Sequence, residues 1–326
     1  MKKDYIPRLF DETLKFSLKS KGAVLVVGPK WCGKSTTSAR QAKTIVDLTI
    51  EETKQQYIAL AKASPTTLLQ QGERPLMIDE WQEISFIWNS IKDQVDKIGS
   101  FGQFILTGSV TDKTISQDSG ERHTGTGRIV RKMMRPMSLY ESGDSNGKVS
   151  LLDLKEGKFE PCISNKTIED YAYYICRGGW PLAINQTKDV ALQQAIDFYD
   201  AVVNDDLFSL KDINIRKDIG KGKKLMRSYS RNIGSQCADS VILNDVGSND
   251  ESFDIKTLDK YLLVLKRLYV VEELEAWNPN LRSKVAIRSK NTRHFVDPSI
   301  AAASLGIGPK GLFSDMNTFG FLFESL

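Results

Sequence analysis

Histidine is scarce in this 326-residue chain: only His123 and His294 are present, far apart in sequence. The four cysteines, Cys32, Cys162, Cys176 and Cys237, include no pair at metal-ligand spacing. These shortages argue against a zinc site and make reduced thiols the expectation. No run approaches the roughly 18–20 uncharged apolar residues that a membrane helix needs. The start, Met1-Lys2-Lys3-Asp4-Tyr5, begins like a secretory leader, but Asp11, Glu12 and Lys15 interrupt the apolar block that would have to follow. No membrane association is expected, and the reading is a cytoplasmic protein. Charge is nearly balanced, at a formal +4, which permits nucleic-acid contact without requiring it. The length allows two or three domains.

What is present is alternation. Up to about residue 140, short apolar runs alternate with helix-like stretches, which signals an α/β fold with a parallel sheet of βαβ units. Strands are expected at 23–27, 44–49, 76–78, 104–106 and near Val130 to Met134. Helices are expected from Ser35 to Ala42, over 51–63 and 64–71, and from Ile84 to Ile98. In the last of these, Ile84, Ile87, Trp88, Ile91, Val95 and Ile98 recur every three to four residues. Residues 111–127 are polar and glycine-rich and read as a mobile loop. Ser138 to Glu141 has the spacing of a capping box and predicts a helix start. Residues 142–150 are a polar break.

The second half reads as mainly helical. A capping box at Thr167 to Asp170 opens a helix that Gly178-Gly179-Trp180-Pro181 stops. A long helix is expected over 189–210, and another over 257–268 with Leu258, Tyr261, Leu262, Leu265 and Leu268 on one face. A β-hairpin should follow, formed by Val270 to Trp277, the turn Asn278-Pro279-Asn280, and Val285-Ala286-Ile287. Helices ending in a hairpin suggest a winged helix-turn-helix. The expected organisation is a core over 1–150, a small helical region over 151–210, a winged-helix-like domain over 211–300 and a further piece over 301–326.

The segment Gly28-Pro29-Lys30-Trp31-Cys32-Gly33-Lys34-Ser35, followed by Thr36, matches G-x-x-x-x-G-K-[ST] and lies between an expected strand and an expected helix. Glycines allow the backbone to wrap closely, so that its N–H groups point at phosphates, and the helix N-terminus adds its positive end. Lys34 would reach the β- and γ-phosphates, and Ser35 would ligate Mg²⁺. The implied ligand is ATP with Mg²⁺. Asp79-Glu80 ends a later apolar strand, where Asp79 would support the metal and Glu80 would polarise the attacking water. This paired carboxylate favours hydrolysis over transfer to a substrate hydroxyl, so a small-molecule kinase is the weaker reading. Thr107 and Ser109 end the next strand, where a hydroxyl can contact the γ-phosphate or its water. Arg122, Arg128 and Arg131 follow. Arg128 is the candidate finger for a neighbouring subunit, which implies a homo-oligomer. Lys217, Lys221, Lys223, Lys224, Arg227 and Arg231, with Lys256, Lys260, Lys266 and Arg267, could contact phosphates of DNA. Trp180, Trp277, Tyr171 to Tyr174 and Asp297-Pro298-Ser299 read as core.

In its ordered motifs the chain resembles AAA-type P-loop ATPases of bacteria and archaea that carry the domain of unknown function 4143. The marks are Gly28 to Thr36, Leu76 to Gln82 and Leu106-Thr107-Gly108-Ser109. Gly125 to Arg128, Met134 to Glu141, Gly178 to Pro181, and Tyr269 through Ser299 complete the series. The resemblance implies an AAA core, a helical region, a winged helix and a C-terminal fold similar to restriction endonucleases. Phe319 to Leu326 resembles the start of that last fold, so a truncated chain is expected, its terminal apolar residues lacking partners and no nuclease activity surviving. Two functions follow: ATP hydrolysis that moves a winged helix on DNA or a protein partner, or an ATP-gated binding module with negligible hydrolysis.

Overall fold

The computed structural model describes residues 5–109, 125–158, 161–210, 212–248, 252–280 and 282–326. The chain divides into two compact units, Met1–Arg135 with Arg267–Tyr269, and Pro136–Lys266 with Val270–Leu326.

The first unit opens with helix α1 (Leu9–Ser20), then β1 (Ala23–Val27), α2 (Lys34–Ala39), β2 (Thr44–Asp47), α3 (Glu51–Ala63), α4 (Pro65–Leu69) and β3 (Leu76–Asp79). A 3₁₀ segment (Trp81–Ile87), α5 (Trp88–Ile98), β4 (Phe104–Gly108) and β5 (Ile129–Met133) complete it. The five strands are parallel in the order β2-β3-β4-β1-β5. Their composition explains their placement. β1, β3 and β4 are near-continuous apolar runs, buried at every position, as central strands covered on both faces must be. β2 and β5 are only partly buried and form the edges. Alternate side chains separate two cores. Leu25, Ile78 and Leu106 face Trp81, Trp88 and Ile91, while Val24, Val26 and Ile105 face Leu14, Leu18 and Cys32. α5 turns Trp88, Ile91 and Val95 inward and stops at Gly99, whose φ of 67° makes it a left-handed cap.

Helix α1 covers one face of the sheet, with Leu14 and Leu18 buried; its presence was not read from the sequence. The stretch 111–127 lies outside the described residues as far as residue 124, and Arg122 and His123 lie there too.

The second unit comprises α6 (Leu151–Lys155), α7 (Ile168–Arg177), α8 (Lys188–Asn204), a 3₁₀ turn (Asp206–Phe208), α9 (Ile219–Arg231), α10 (Asp239–Gly247) and α11 (Ile255–Arg267). Then come β6 (Val271–Leu274), α12 (Lys284–Arg288), β7 (Thr292–Phe295), α13 (Pro298–Leu305), α14 (Pro309–Leu312) and α15 (Met316–Phe323). α13 packs against α7, α8 and α9. Thr167 caps α7 reciprocally with Asp170, as its spacing required. The turn after α7 is tied to the start of α13: Asp297 accepts from Gly179 N at 2.8 Å, Ser299 N at 2.9 Å and Ser299 Oγ at 2.5 Å, and Trp180 Nε1 donates to Ser299 Oγ at 3.0 Å. Trp180 also stacks on Phe198, so these motifs belong to the core as expected. Trp277, in contrast, is 84% exposed.

Several local expectations are corrected. Ser138 and Glu141 do exchange capping hydrogen bonds, but turns follow instead of a helix. The second strand of the antiparallel pair is Thr292–Phe295, with Val271 opposite Phe295. Residues 285–287 instead lie in α12, where Val285 and Ile287 are exposed. The terminal residues do have partners: Phe319 and Leu322 of α15 are buried, and Phe323 meets Tyr171 edge-on at 5.4 Å. No helix among the described residues is long and apolar enough to cross a membrane.

Candidate functional site

Because all five strands run parallel, their C-terminal ends share one edge, where open α/β sheets leave a ligand crevice. β1 delivers Gly28 to Ser35, β3 delivers Asp79 and Glu80, and β4, lying between them, delivers Thr107 and Ser109. Ile78 stands opposite Leu106, so Asp79 and Thr107 come side by side one residue later.

The loop after β1 requires its glycines. Gly28 has φ 151°, and a Cβ there would sit 2.1 Å from the Met134 carbonyl oxygen. Gly33, at φ 96°, turns the chain into α2. Trp31 adopts φ 66° and keeps its indole partly exposed, as are Lys30 and Thr36, whereas Pro29 is buried. Behind the loop, buried Arg8 donates to Cys32 O and to Arg135 O, both at 2.8 Å, and Cys32 Sγ donates to Met134 O at 3.4 Å. Burial pushes the Cys32 thiol up, so it stays protonated and inert. Lys34 is buried and folds across the loop, its Nζ donating to Pro29 O at 2.7 Å. The first N–H groups of α2 have no carbonyl partner within the helix and present a positive end. A backbone cradle too tight for a Cβ, an ammonium held against it and a helix N-terminus together suit a polyphosphate.

The carboxylates meet the loop. Asp79 is buried and accepts from Ser35 Oγ at 2.8 Å, from Glu80 N at 3.2 Å and from Thr107 Oγ1 in a short contact. Glu80 is half-buried and left-handed at φ 52°, a conformation uncommon for a residue with a side chain. Its Oε2 accepts from Ser109 Oγ at 3.3 Å and from Gln82 Nε2. Among the described residues no three His, Cys, Asp or Glu side chains gather into a metal-holding group. Ser35 and Asp79 nevertheless fit Mg²⁺, a hard cation that takes one or two protein oxygens and fills its other positions with phosphate and water.

The structure thus brings together Lys34, Ser35, Asp79, Glu80, Thr107 and Ser109. It does not bring Arg128 to them. That residue precedes β5, at the opposite edge of the sheet, a strand length of about 16 Å away. Its Nε lies 2.6 Å from Asp96, which holds the Asp96 carboxyl below its usual range and raises the guanidinium further. Arg131 is exposed on β5. Of the basic residues on the later helices, Lys266 pairs with Glu273 at 2.6 Å, Arg231 with Asp245 at 3.4 Å, and Arg267 is buried. Two contributors were missed in sequence. Arg8 lies before the first strand, in a stretch with no motif. Gln82 could have been suspected, since it lies just past the acidic pair.

A family model described as an AAA domain matches residues 20–143. A second, the domain of unknown function 8612, matches residues 168–311 and replaces the domain expected from the motifs. The two models match successive stretches, an AAA domain followed by a domain of unknown function, and each spans less than half of the chain. No curated protein sequence matches it significantly. Among solved structures it is similar to a Walker-type ATPase of Pyrococcus abyssi, at 14% identity over 93% of this chain and 97% of that one, with a TM-score of 0.56. At that identity the likeness is one of fold. Weaker matches are the replication initiator DnaA bound to AMPPCP and single-stranded DNA (10% identity, 80% and 90% covered, TM-score 0.35) and the Aeropyrum pernix ORC1 protein in complex with DNA (11%, 92% and 94%, 0.30).

Proposed function

We propose that the protein binds ATP with Mg²⁺ in the loop Gly28 to Ser35 and hydrolyses it. The observation that carries this reading is the meeting of Ser35, Asp79 and Thr107, with Glu80 beside them, at the mouth of the loop. Lys34 would leave the Pro29 carbonyl for the β- and γ-phosphates. Ser35 and Asp79 would hold Mg²⁺, which when bound neutralises charge on the phosphates. Glu80 would orient the attacking water and take its proton, and Thr107 would turn its single hydroxyl hydrogen from Asp79 to the γ-phosphate. We read α9, α10 and α11 followed by the β6–β7 pair as a winged helix-turn-helix. In this proposal the nucleotide state changes its presentation to DNA or a protein partner.

The test is ATP turnover by the purified full chain over a range of protein concentrations, with and without DNA. Glu80→Gln should abolish turnover while ATP binding survives, and unchanged turnover would sink the role given to Glu80. A rate per chain that rises with concentration would bring Arg128 in as a finger for a second subunit. One observation favours a module with negligible hydrolysis: Gln82 and Ser109 already engage the Glu80 carboxylate. DNA retention that ATP alters without phosphate release would decide for that reading. Phosphate release without an added acceptor would exclude a kinase.

A further inference from the structure

The second unit contains a cavity of about 540 Å³ that the ATPase reading does not use. It is bounded by the segment before α9, the first turn of α9 and the first turns of α11. Arg216, Lys217, Lys221 and Lys260 line it, against the single carboxylate of Asp218. The lining therefore carries four positive charges and one negative, a net of +3. Asp218 is already committed, because it caps α9 by accepting from Lys221 N at 3.0 Å. Two of the ammonium groups bond other residues of the lining. Lys260 Nζ donates to Asn214 O at 3.3 Å, and Lys221 Nζ donates to Ser252 Oγ. An ammonium has three donors, so the Lys260 contact leaves capacity for a ligand. Lys217 Nζ lies 3.6 Å from Asp205 in an exposed pair, which water screens.

The backbone adds to this charge. α9 and α11 are each 13 residues long, and both begin at the cavity. Asp218 and Asp254 occupy the cap positions, with Thr257 N donating to Asp254 at 2.8 Å, but two positive helix ends still converge there. Thr257 and Tyr261 add hydroxyls. Asp205 offsets Lys217 and Asp254 offsets the end of α11 in part, and the positive charge that remains in the recess favours an anion. The volume lies within the roughly 300–1,000 Å³ typical of small-molecule sites. Each phosphomonoester carries about −1.5 to −2 at neutral pH, so two of them balance the net charge of the lining. Duplex DNA would call for cations spread along a surface, whereas these four surround a recess.

We propose that this cavity is a second phosphate site, separate from Gly28 to Ser35, that binds a small molecule carrying two closely spaced phosphate groups. The proposal does not depend on ATP hydrolysis.

Inorganic pyrophosphate titrated calorimetrically into the full chain provides the test. Lys34→Ala is included to disable the first loop. Saturable one-to-one binding is expected, and adding Arg216→Gln with Lys260→Gln should weaken it roughly tenfold or more. Lys223→Gln with Arg227→Gln removes the same charge from exposed positions of α9 and should have a much smaller effect. Absent binding, or equal losses in the two double variants, would overturn the proposal. So would a DNA duplex that loses affinity with Arg216→Gln and Lys260→Gln but is not displaced by pyrophosphate, which would assign these cations to a nucleic-acid backbone. If the double variant fails to fold, Lys260→Gln alone, at an exposed position, carries the same comparison.

Discussion

Consider Thr107→Val, which exchanges a hydroxyl for a methyl at a fully buried position of β4. Shape and strand preference are nearly unchanged, so the main loss is one donor to the Asp79 carboxylate. Asp79 has three donors in the structure: Ser35 Oγ, Glu80 N and Thr107 Oγ1. A hydrogen bond to a charged group is worth about 1.5–3 kcal/mol, and leaving a buried acceptor short costs a similar amount. Two donors remain, so the lower half of that range applies, about 1.5–2 kcal/mol. Urea unfolding followed through the tryptophans should show this loss, since Trp81 and Trp88 are buried in the same unit. The ATPase proposal adds a second outcome. Turnover should fall at least roughly tenfold, because with nucleotide bound the hydroxyl would serve the γ-phosphate in place of Asp79, with a much smaller change in ATP affinity. A variant within about 0.5 kcal/mol of wild type that also retains full turnover would refute both the energetic argument and the role of Thr107.

Gly28→Ala places a methyl 2.1 Å from a backbone carbonyl, so the loop must move; nucleotide affinity measured by equilibrium binding should collapse. Asp297→Ala removes a buried acceptor of three hydrogen bonds and the cap of α13, and should cost about 2–4 kcal/mol in denaturant titration. Burial holds His294 below its ordinary range, so the unfolded chain takes up a proton first as pH falls. The His294 contribution is therefore complete above about pH 6.5 and is lost as pH drops toward its folded value. Melting at pH 7.5 and 5.5 should show a larger decrease for wild type than for His294→Gln.

The candidate site was more legible than its supports. Glycines, a lysine and an acidic strand end announce themselves because their chemistry leaves few substitutes. Apolar runs likewise marked β1, β3 and β4, since a strand buried on both faces needs little else. Strand order was not readable, because it depends on which runs pair, and it is what sets Thr107 between the loop and Asp79. The hairpin failed for a local reason. Val285-Ala286-Ile287 looked like a strand by composition, whereas the true partner, Thr292–Phe295, shows only a faint alternation, with Arg293 and Phe295 inward. At Ser138 the capping pair formed without its helix, because the chain is held elsewhere on both sides: Met137 N bonds Gly179 O at 2.7 Å before it, and Arg177 grips Asp144 at 2.9 Å after it. The terminal helix was misjudged because its partners, Tyr171 and Phe313 among them, are distant or unmarked in sequence.

The braces behind the phosphate loop also impose an order on synthesis. Cys32 leans on Met134, 102 residues later, and Arg8 reaches Arg135, 127 residues later. At about 5–20 residues per second, roughly 5–20 s separate the emergence of the loop from that of the strand end that closes it. A nascent chain therefore exposes the loop sequence well before it can hold the shape, and under the proposed function nucleotide would first be able to assist folding only once β5 has left the ribosome.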